Sequence, residues 1–113
     1  MPYGIRMLFE AQRSVTAAEI GSSYIPVDTP IDHPARIIHI QNLTDVTLQF
    51  SFDGVNDHFP LPANGFLLLD ISSDTTPEQA FFLAKNSSLY VKEIGNPTTG
   101  SVYFSVMYGK GDL

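Results

Sequence analysis

Apolar and polar side chains alternate over residues 46–52, whose sequence is VTLQFSF. The apolar positions are Val46, Leu48, Phe50 and Phe52. A period of two is typical of a β-strand with one buried face, because successive side chains of a strand point to opposite sides. The Asp53-Gly54 pair that follows has the residue types of a turn, and it predicts the end of the strand there.

The same alternation appears upstream and near the C-terminus. In residues 36–43, Ile38 and Ile40 share one side, and Asn42-Leu43-Thr44-Asp45 leads into the next strand. We therefore predict a β-hairpin over residues 36–53. A second hairpin is predicted over residues 88–109, around the turn-forming residues 95–100. Its inward side chains are Leu89, Val91, Val102, Phe104 and Val106.

The remaining segments complete an all-β pattern. The apolar run FLLLDI at residues 66–71 predicts a well-buried strand, and residues 6–12 and 17–24 predict two more. Residues 76–79, TPEQ, have the residues of a capped helical turn. We predict an antiparallel β-sandwich, jelly-roll-like, with six to eight short strands and at most one short helical turn.

Composition excludes several classes of protein. The 113 residues suffice for one domain, 1–113, and carry a net charge of −6 with no Cys. Six basic against twelve acidic residues argue against nucleic acid as a partner. No apolar run reaches the length of a membrane helix, and the N-terminus lacks the features of a signal peptide. Partner contacts are expected to order the N-terminal segment 1–16 and the C-terminal tail 109–113.

No motif for catalysis or metal binding is found. The polar segment 53–58 resembles a calcium loop only superficially, because an EF-hand pattern fails at Val55 and Asn64, and its residues suit a turn. The three His residues lie in different segments, and no nucleophile elbow is present. We therefore predict no enzymatic activity, no cofactor and no metal.

The outward sides of the predicted hairpins carry unusual residues for a monomer. Tyr, Met and Ile stand where Lys, Glu and Thr would be expected, which predicts an interface with another protein. The candidate interface residues are Ile37, His39, Tyr90, Ile94, Tyr103 and Met107. The alternative is that a second sheet, or the loops 22–35 and 72–87, cover these side chains.

Five stretches resemble a family of small virion proteins of tailed bacteriophages. They are HPARIIHIQNLT (33–44), FSFDG (50–54), LPANG (61–65), LYVK (89–92) and GSVYFSVMYG (100–109). The resemblance spans roughly residues 33–109 and consists of strands and turns, without catalytic residues. It is to head decoration (cement) proteins, which bind between capsomers and reinforce the shell.

The resemblance implies a place on the capsid surface of a virion, with synthesis in the host cytoplasm. The implied partners are the major capsid protein and copies of this chain in a dimer or trimer, with neither nucleic acid nor membrane. One alternative is a neck or tail-accessory protein of the same fold. Another is a carbohydrate-binding adhesion module with Tyr90 and Tyr103 as a stacking platform, although the absence of Trp argues against it.

Overall fold

Two antiparallel sheets pack together as a β-sandwich in the computed structural model, which describes residues 4–70 and 86–112. The larger sheet contains β1 (Gly4–Phe9), β2 (Arg13–Thr16), β4 (Ile37–Asn42), β7 (Phe66–Asp70) and β9 (Ser101–Asp112). The smaller sheet contains β3 (Ile25–Pro26), β5 (Leu48–Ser51), β6 (Phe59–Leu61) and β8 (Tyr90–Glu93). A single 3-10 turn, Ala17–Glu19, is the helical element of the described residues.

The strand order is that of a jelly roll. The larger sheet runs β1-β9-β4-β7, with β2 also on β9, and the smaller sheet runs β3-β8-β5-β6. The antiparallel pairs are nested: β5 with β6, β4 with β7, β3 with β8, and β1 and β2 with β9. The chain is thus one long hairpin wound into a sandwich. With β1 and β2 counted as one interrupted strand, the described residues form eight strands, so the predicted fold is confirmed.

The core is built from the faces that the alternation indicated. Leu48 and Phe50 of the smaller sheet meet Ile38 and Ile40 of the larger one, and all four are buried. The predicted inward residues of the second pair of strands are buried as well: Leu89, Val91, Val102, Phe104 and Val106. Val46 and Phe52, at the ends of the alternating stretch, are partly buried against this core.

Both predicted hairpins are wrong, although their strands exist. β4 and β5 belong to different sheets, and so do β8 and β9. β4 instead pairs with β7 and β9, whereas β5 pairs with β6 and β8. Alternation fixes only which face of a strand is buried, and strands of opposite sheets bury their faces in the same core. Residues close in sequence can therefore face each other across the core instead of pairing.

Two of the connections between the sheets, β4–β5 and β8–β9, pack side by side. The amide of Leu43 donates to the carbonyl of Ser101 (3.0 Å), and the Asp45 carboxylate accepts the amide of Thr98 (3.0 Å). Gly100 has a φ of 90°, and a Cβ there would lie 2.0 Å from the carbonyl oxygen of Leu43. Only glycine fits at this contact, because an L side chain would clash with the backbone of the other connection.

A buried amide ties β4 to the smaller sheet. Asn42 Nδ2 lies 2.9 Å from the carbonyl oxygens of both Val46 and Leu61, and its Oδ1 accepts the amide of Thr44 at 3.0 Å. The side chain is fully buried, and no buried side-chain polar atom of the described residues lacks a partner. This network holds the chain where it leaves one sheet for the other.

Three segments differ from their predictions, and a fourth lies outside the description. Residues 17–24 were predicted as a strand, but the 3-10 turn occupies their start, where the Thr16 hydroxyl donates to Glu19 Oε1 at 3.0 Å. The strand predicted at 6–12 ends at Phe9 and β2 begins at Arg13. The run at 66–71 forms β7, but β7 is exposed at a sheet edge, not well buried. The helical turn predicted at 76–79 falls outside the described residues.

The ends of the described chain pair with each other. The backbone of residues 4–9 in β1 is in register with residues 107–112 of β9. Much of the tail 109–113 thus has a partner within the chain, and additional ordering by another protein stays a prediction.

Candidate interaction surface

The outer face of the larger sheet carries several large apolar side chains interspersed with uncharged polar ones such as Gln41 and Ser105. Cross-strand partners in an antiparallel sheet point to the same side. The register puts Met107 between Phe9 and Ile37, and it puts His39 beside Leu68. Gln41 lies between Phe66 and Tyr103. We call this surface the apolar face, and its members are Phe9, Ile37, His39, Phe66, Leu68, Tyr103 and Met107.

The apolar face is open at several of its largest side chains. Phe9 is 67% exposed, Phe66 64% and Leu68 56%. The His39 and Phe66 rings meet edge to face with centroids 5.7 Å apart. Such exposure shows that neither the smaller sheet nor loop 22–35 covers these three apolar side chains, and loop 72–87 lies largely outside the described residues. Large open apolar surfaces are uncommon on monomers and typically mark contact sites.

Four of the six candidate interface residues lie together on this face. Ile37 and His39 belong to β4, and Tyr103 and Met107 lie opposite them or one row away on β9. Tyr90 and Ile94 do not join them, because β8 belongs to the smaller sheet and Ile94 follows β8 directly. The six residues were expected on one surface because β8 and β9 were expected to pair, and they do not.

Three prominent members of the apolar face were not predicted as interface residues: Phe9, Phe66 and Leu68. In β7 the residues Phe66 to Leu69 are all apolar, so no alternation marks an outward side. The run therefore predicts a well-buried strand and gives no outward side. The apolar character of both sides of this strand could still have indicated an interface. Apolar side chains on an outward side imply that this side contacts another part of the chain or another protein.

The outer face of the smaller sheet is polar. We call it the polar face and define it by Gln49, Tyr90 and Lys92. Lys92 Nζ lies 3.1 Å from Asp57 Oδ1 and 4.7 Å from the centroid of the Tyr24 ring. The Tyr24 hydroxyl donates to Asp57 Oδ1, and burial together with this carboxylate raises the pKa of Tyr24 to about 12. These groups suit a surface in contact with water.

Tyr90 and Tyr103 lie on opposite outer faces of the sandwich. Tyr103 belongs to the apolar face, whereas the ring of Tyr90 lies over Gly54, within 3.4 Å of where a Cβ would be. A sugar-stacking platform needs its aromatic rings side by side, so these two residues do not form one together.

A buried ion pair anchors loop 28–35 beneath the larger sheet. The Glu10 side chain is 4% exposed and that of Arg13 is 6% exposed, with Arg13 Nη2 2.9 Å from Glu10 Oε1. Glu10 Oε2 accepts the amide of His33 at 2.8 Å, and Arg13 Nε donates to the carbonyl of Thr29 at 2.7 Å. Burial tends to raise the pKa of Glu10, but hydrogen bonds from Asp32, His33 and Arg13 outweigh it and keep that pKa below its ordinary value.

His33 completes this anchor. Its Nδ1 lies 2.8 Å from Glu10 Oε2, and its ring stacks on Tyr108 with centroids 3.7 Å apart. His39 lies on the apolar face and His58 in the turn after β5. The three His residues therefore stay apart, as their sequence positions indicated.

The polar segment 53–58 is a turn, as predicted. The Asp53 carboxylate accepts the amides of Val55 and Asn56, both at 2.8 Å, and these bonds hold the pKa of Asp53 well below its usual range. His58 Nδ1 accepts the amide of Phe52 at 2.9 Å. Across residues 4–70 and 86–112, no group of three or more His, Asp or Glu side chains is arranged to hold a metal ion.

Among the described residues, no helix has the length and apolar character needed to span a membrane. No family model matches this chain, and comparison with curated proteins and with solved structures gives no match either.

Proposed function

We propose that this chain is a structural protein of a tailed-phage virion, a capsid decoration protein without enzymatic activity. The observation that carries the proposal is the contrast between the apolar face, open and nearly free of charge, and the polar face on the other side of the sandwich. A rigid sandwich with one such face fits a subunit that packs against a shell and presents its other side to solvent.

Charge is scarce where contact is proposed. Among the described residues of the larger sheet's outer side, His39 and Asp70 are the ionisable groups other than Tyr103. The centres of protein interfaces are poor in charged residues and rich in Phe, Tyr and Met, as this face is. Many copies on one particle would add weak contacts into a large stabilisation of the shell.

The assignment to a phage particle depends on the resemblance of residues 33–109 to head decoration proteins. A jelly roll suits the assignment, since viral capsid domains use it, but lectin domains use it as well. Fold alone does not determine function. The surface chemistry therefore supports an assembly role directly, and the resemblance supplies the kind of assembly.

Copy number tests the assignment. Quantitative mass spectrometry of purified virions is expected to find this chain in hundreds of copies, in a fixed ratio to the major capsid protein, as a decoration lattice requires. About a dozen copies or fewer would contradict decoration and favour a ring at the neck or tail. Absence from the particle would contradict both.

A matched pair of variants tests the face. Leu68→Lys places a charge on the apolar face, and Gln49→Lys places the same charge on the polar face. We expect Leu68→Lys to abolish cosedimentation with undecorated capsids, because an unpaired charge would be desolvated in the interface. Gln49→Lys is expected to bind like the unmodified chain. Equal binding by both variants would show that the apolar face is not the contact.

A further inference from the structure

We propose that Asn64 is a site of spontaneous deamidation that the fold protects, so that the reaction takes place when the turn between β6 and β7 opens. The chemistry needs an asparagine, an unhindered backbone nitrogen on the next residue, and water. Asn64 is the one asparagine, of the five in this chain, that precedes a glycine. The site is a property of the chain itself and does not depend on the assembly role proposed above.

The reaction uses only groups of the chain and water. The backbone nitrogen of Gly65 gives up its proton and bonds to Cγ of Asn64, while the Cγ–Nδ2 bond breaks and ammonia leaves. Water then cleaves one of the two C–N bonds of the resulting five-membered succinimide. The products are aspartate and isoaspartate, and in isoaspartate the backbone runs through Cγ. Glycine favours the first step, because no Cβ hinders its nitrogen.

The turn over residues 62–65 requires both members of the reactive pair. Asn64 is exposed and has a φ of 63°, a left-handed conformation that asparagine adopts more readily than most residues. A Cβ on Gly65 would lie 2.9 Å from the carbonyl oxygen of Pro62, which is too close for a side chain. The residue types that build this turn are therefore the ones that make it chemically reactive.

The same turn keeps the Gly65 nitrogen away from the Asn64 side chain. The amide of Gly65 donates to the carbonyl of Pro62 at 2.8 Å, and the carbonyl of Gly65 accepts the amide of Asn42 at 2.9 Å. A peptide group moves as one plane. The Gly65 nitrogen can therefore turn toward Cγ of Asn64 only after its hydrogen bond to Pro62 has broken.

Asn42 holds the turn from the neighbouring strand β4. Its Nδ2 donates to the carbonyls of Leu61 at 2.9 Å and Pro62 at 3.1 Å, so the Pro62 carbonyl accepts from both Asn42 and Gly65. The Asn42 side chain is fully buried, and leaving a buried amide without partners is costly. The turn therefore opens rarely, and deamidation of Asn64 is slow in the folded chain.

Deamidation makes an opening of the turn permanent. Isoaspartate adds one backbone atom between residues 64 and 65, and the length of a connection determines the register of the strand that follows it. The Pro62–Gly65 hydrogen bond and the pairing of β7 with β4 depend on the unmodified length. The modified chain thus records that the turn has opened.

Peptide mass spectrometry of the full chain tests the site. Folded chain and chain unfolded in guanidinium chloride are incubated at the same mildly alkaline pH, digested, and compared for conversion of asparagine to aspartate and isoaspartate. We expect Asn64 to react fastest of the asparagines in the unfolded chain. We expect it to react at least about tenfold more slowly in the folded chain, because only the open fraction reacts. Asn96 is the internal control, since Pro97 has no N–H proton to lose.

Equal rates at Asn64 in folded and unfolded chain would overturn the protection by the fold. A slower reaction at Asn64 than at Asn86 in the unfolded chain would overturn the site itself. Asn42→Ala removes both side-chain bonds to the turn and should accelerate the reaction in the folded state, whereas Thr44→Val keeps those bonds and should react like the parent. A folded N42A chain that reacts no faster than the parent would contradict the role of Asn42. If circular dichroism shows that N42A does not fold, the comparison of folded and unfolded parent decides the proposal.

Discussion

The two sheets of this sandwich place their charges in opposite positions. The larger sheet buries its ion pair, Glu10 with Arg13, and leaves Phe66 and Leu68 exposed on its outer side. The smaller sheet carries its ion pair, Lys92 with Asp57, on the outside and buries Phe50. A freely soluble domain would be expected to resemble the smaller sheet on both sides.

This difference indicates that the outer side of the smaller sheet is the one suited to contact with solvent. Charges buried beneath the larger sheet fix loop 28–35 to the strand ends, whereas charges on the polar face contribute solubility. The apolar face has no comparable role within the chain. Charged residues make up only 16% of the chain, and they are scarcest on the outer side of the larger sheet.

The largest expected effect separates the inner and outer sides of the larger sheet. Phe104→Ala removes a fully buried ring and should lower the free energy of unfolding by about 3–5 kcal/mol. Phe66→Ala, on the apolar face, should lower it by less than about 1 kcal/mol. Urea unfolding followed by circular dichroism measures both. A comparable loss for Phe66→Ala would mean that this side chain is packed within the chain and the face is not open.

The second-largest expected effect on stability distinguishes a buried glutamate, Glu10, from an exposed one, Glu19. Glu10→Gln should cost about 3 kcal/mol, because it leaves the buried Arg13 guanidinium with only the exposed Asp32 carboxylate, 3.9 Å away, as a counter-charge. Glu19→Gln is the control, since Glu19 is exposed and accepts a single hydroxyl hydrogen bond from Thr16. Thermal and urea unfolding should show little change for the control. Equal losses would contradict the structural role of the buried pair.

Acid should weaken the fold through the same carboxylate. The pKa of Glu10 is lowered from 4.5, and hydrogen bonds from the Thr98 hydroxyl and amide lower that of Asp45 from 3.8 to about 2. A carboxylate whose pKa is lower in the folded state than in the unfolded state stabilises the fold at pH values above its unfolded-state pKa. This stabilisation is lost as the pH falls through its folded-state pKa. Stability should therefore decline from pH 4.5 toward about 2, less steeply in Glu10→Gln. An identical slope in that variant would exclude Glu10 as a source.

The smallest effect lies on the polar face. Lys92→Gln breaks an ion pair whose partner Asp57 is more than half exposed, and it should change stability by less than about 1 kcal/mol. The change should shrink further in high salt, because exposed charges are screened. Unfolding at two salt concentrations measures it. A loss as large as that of Glu10→Gln would erase the contrast between the two ion pairs.

The burial of most strands was predictable, but their partners were not. Alternation identified the inward sides of β4, β5, β8 and β9 correctly. A strand with one face in the core and one in solvent alternates apolar and polar side chains along its length. Pairing depends on contacts distant in sequence, such as β1 with β9, and on where the connections cross between sheets. The Asn42 network and the close approach at Gly100 lie at two of those crossings, β4–β5 and β8–β9, and neither has a sequence period.

The candidate surface was predictable in part for the same reason. Ile37, His39, Tyr103 and Met107 could be identified because their strands alternate clearly. Phe66 and Leu68 could not, because the run that contains them is apolar at every position from 66 to 69. Tyr90 was assigned to the wrong side because its strand was assigned to the wrong sheet.

The amino-acid sequence by itself determined the all-β class, the inward side of each alternating strand, the turn at Asp53 and the shortage of charge. These are local properties, set by side-chain chemistry within a few residues. Only the tertiary structure decided that the strands wind into nested pairs, that Glu10 meets Arg13 and His33, and that β7 forms an edge. Those features join residues far apart in the chain, so packing and hydrogen bonding across the whole domain select them.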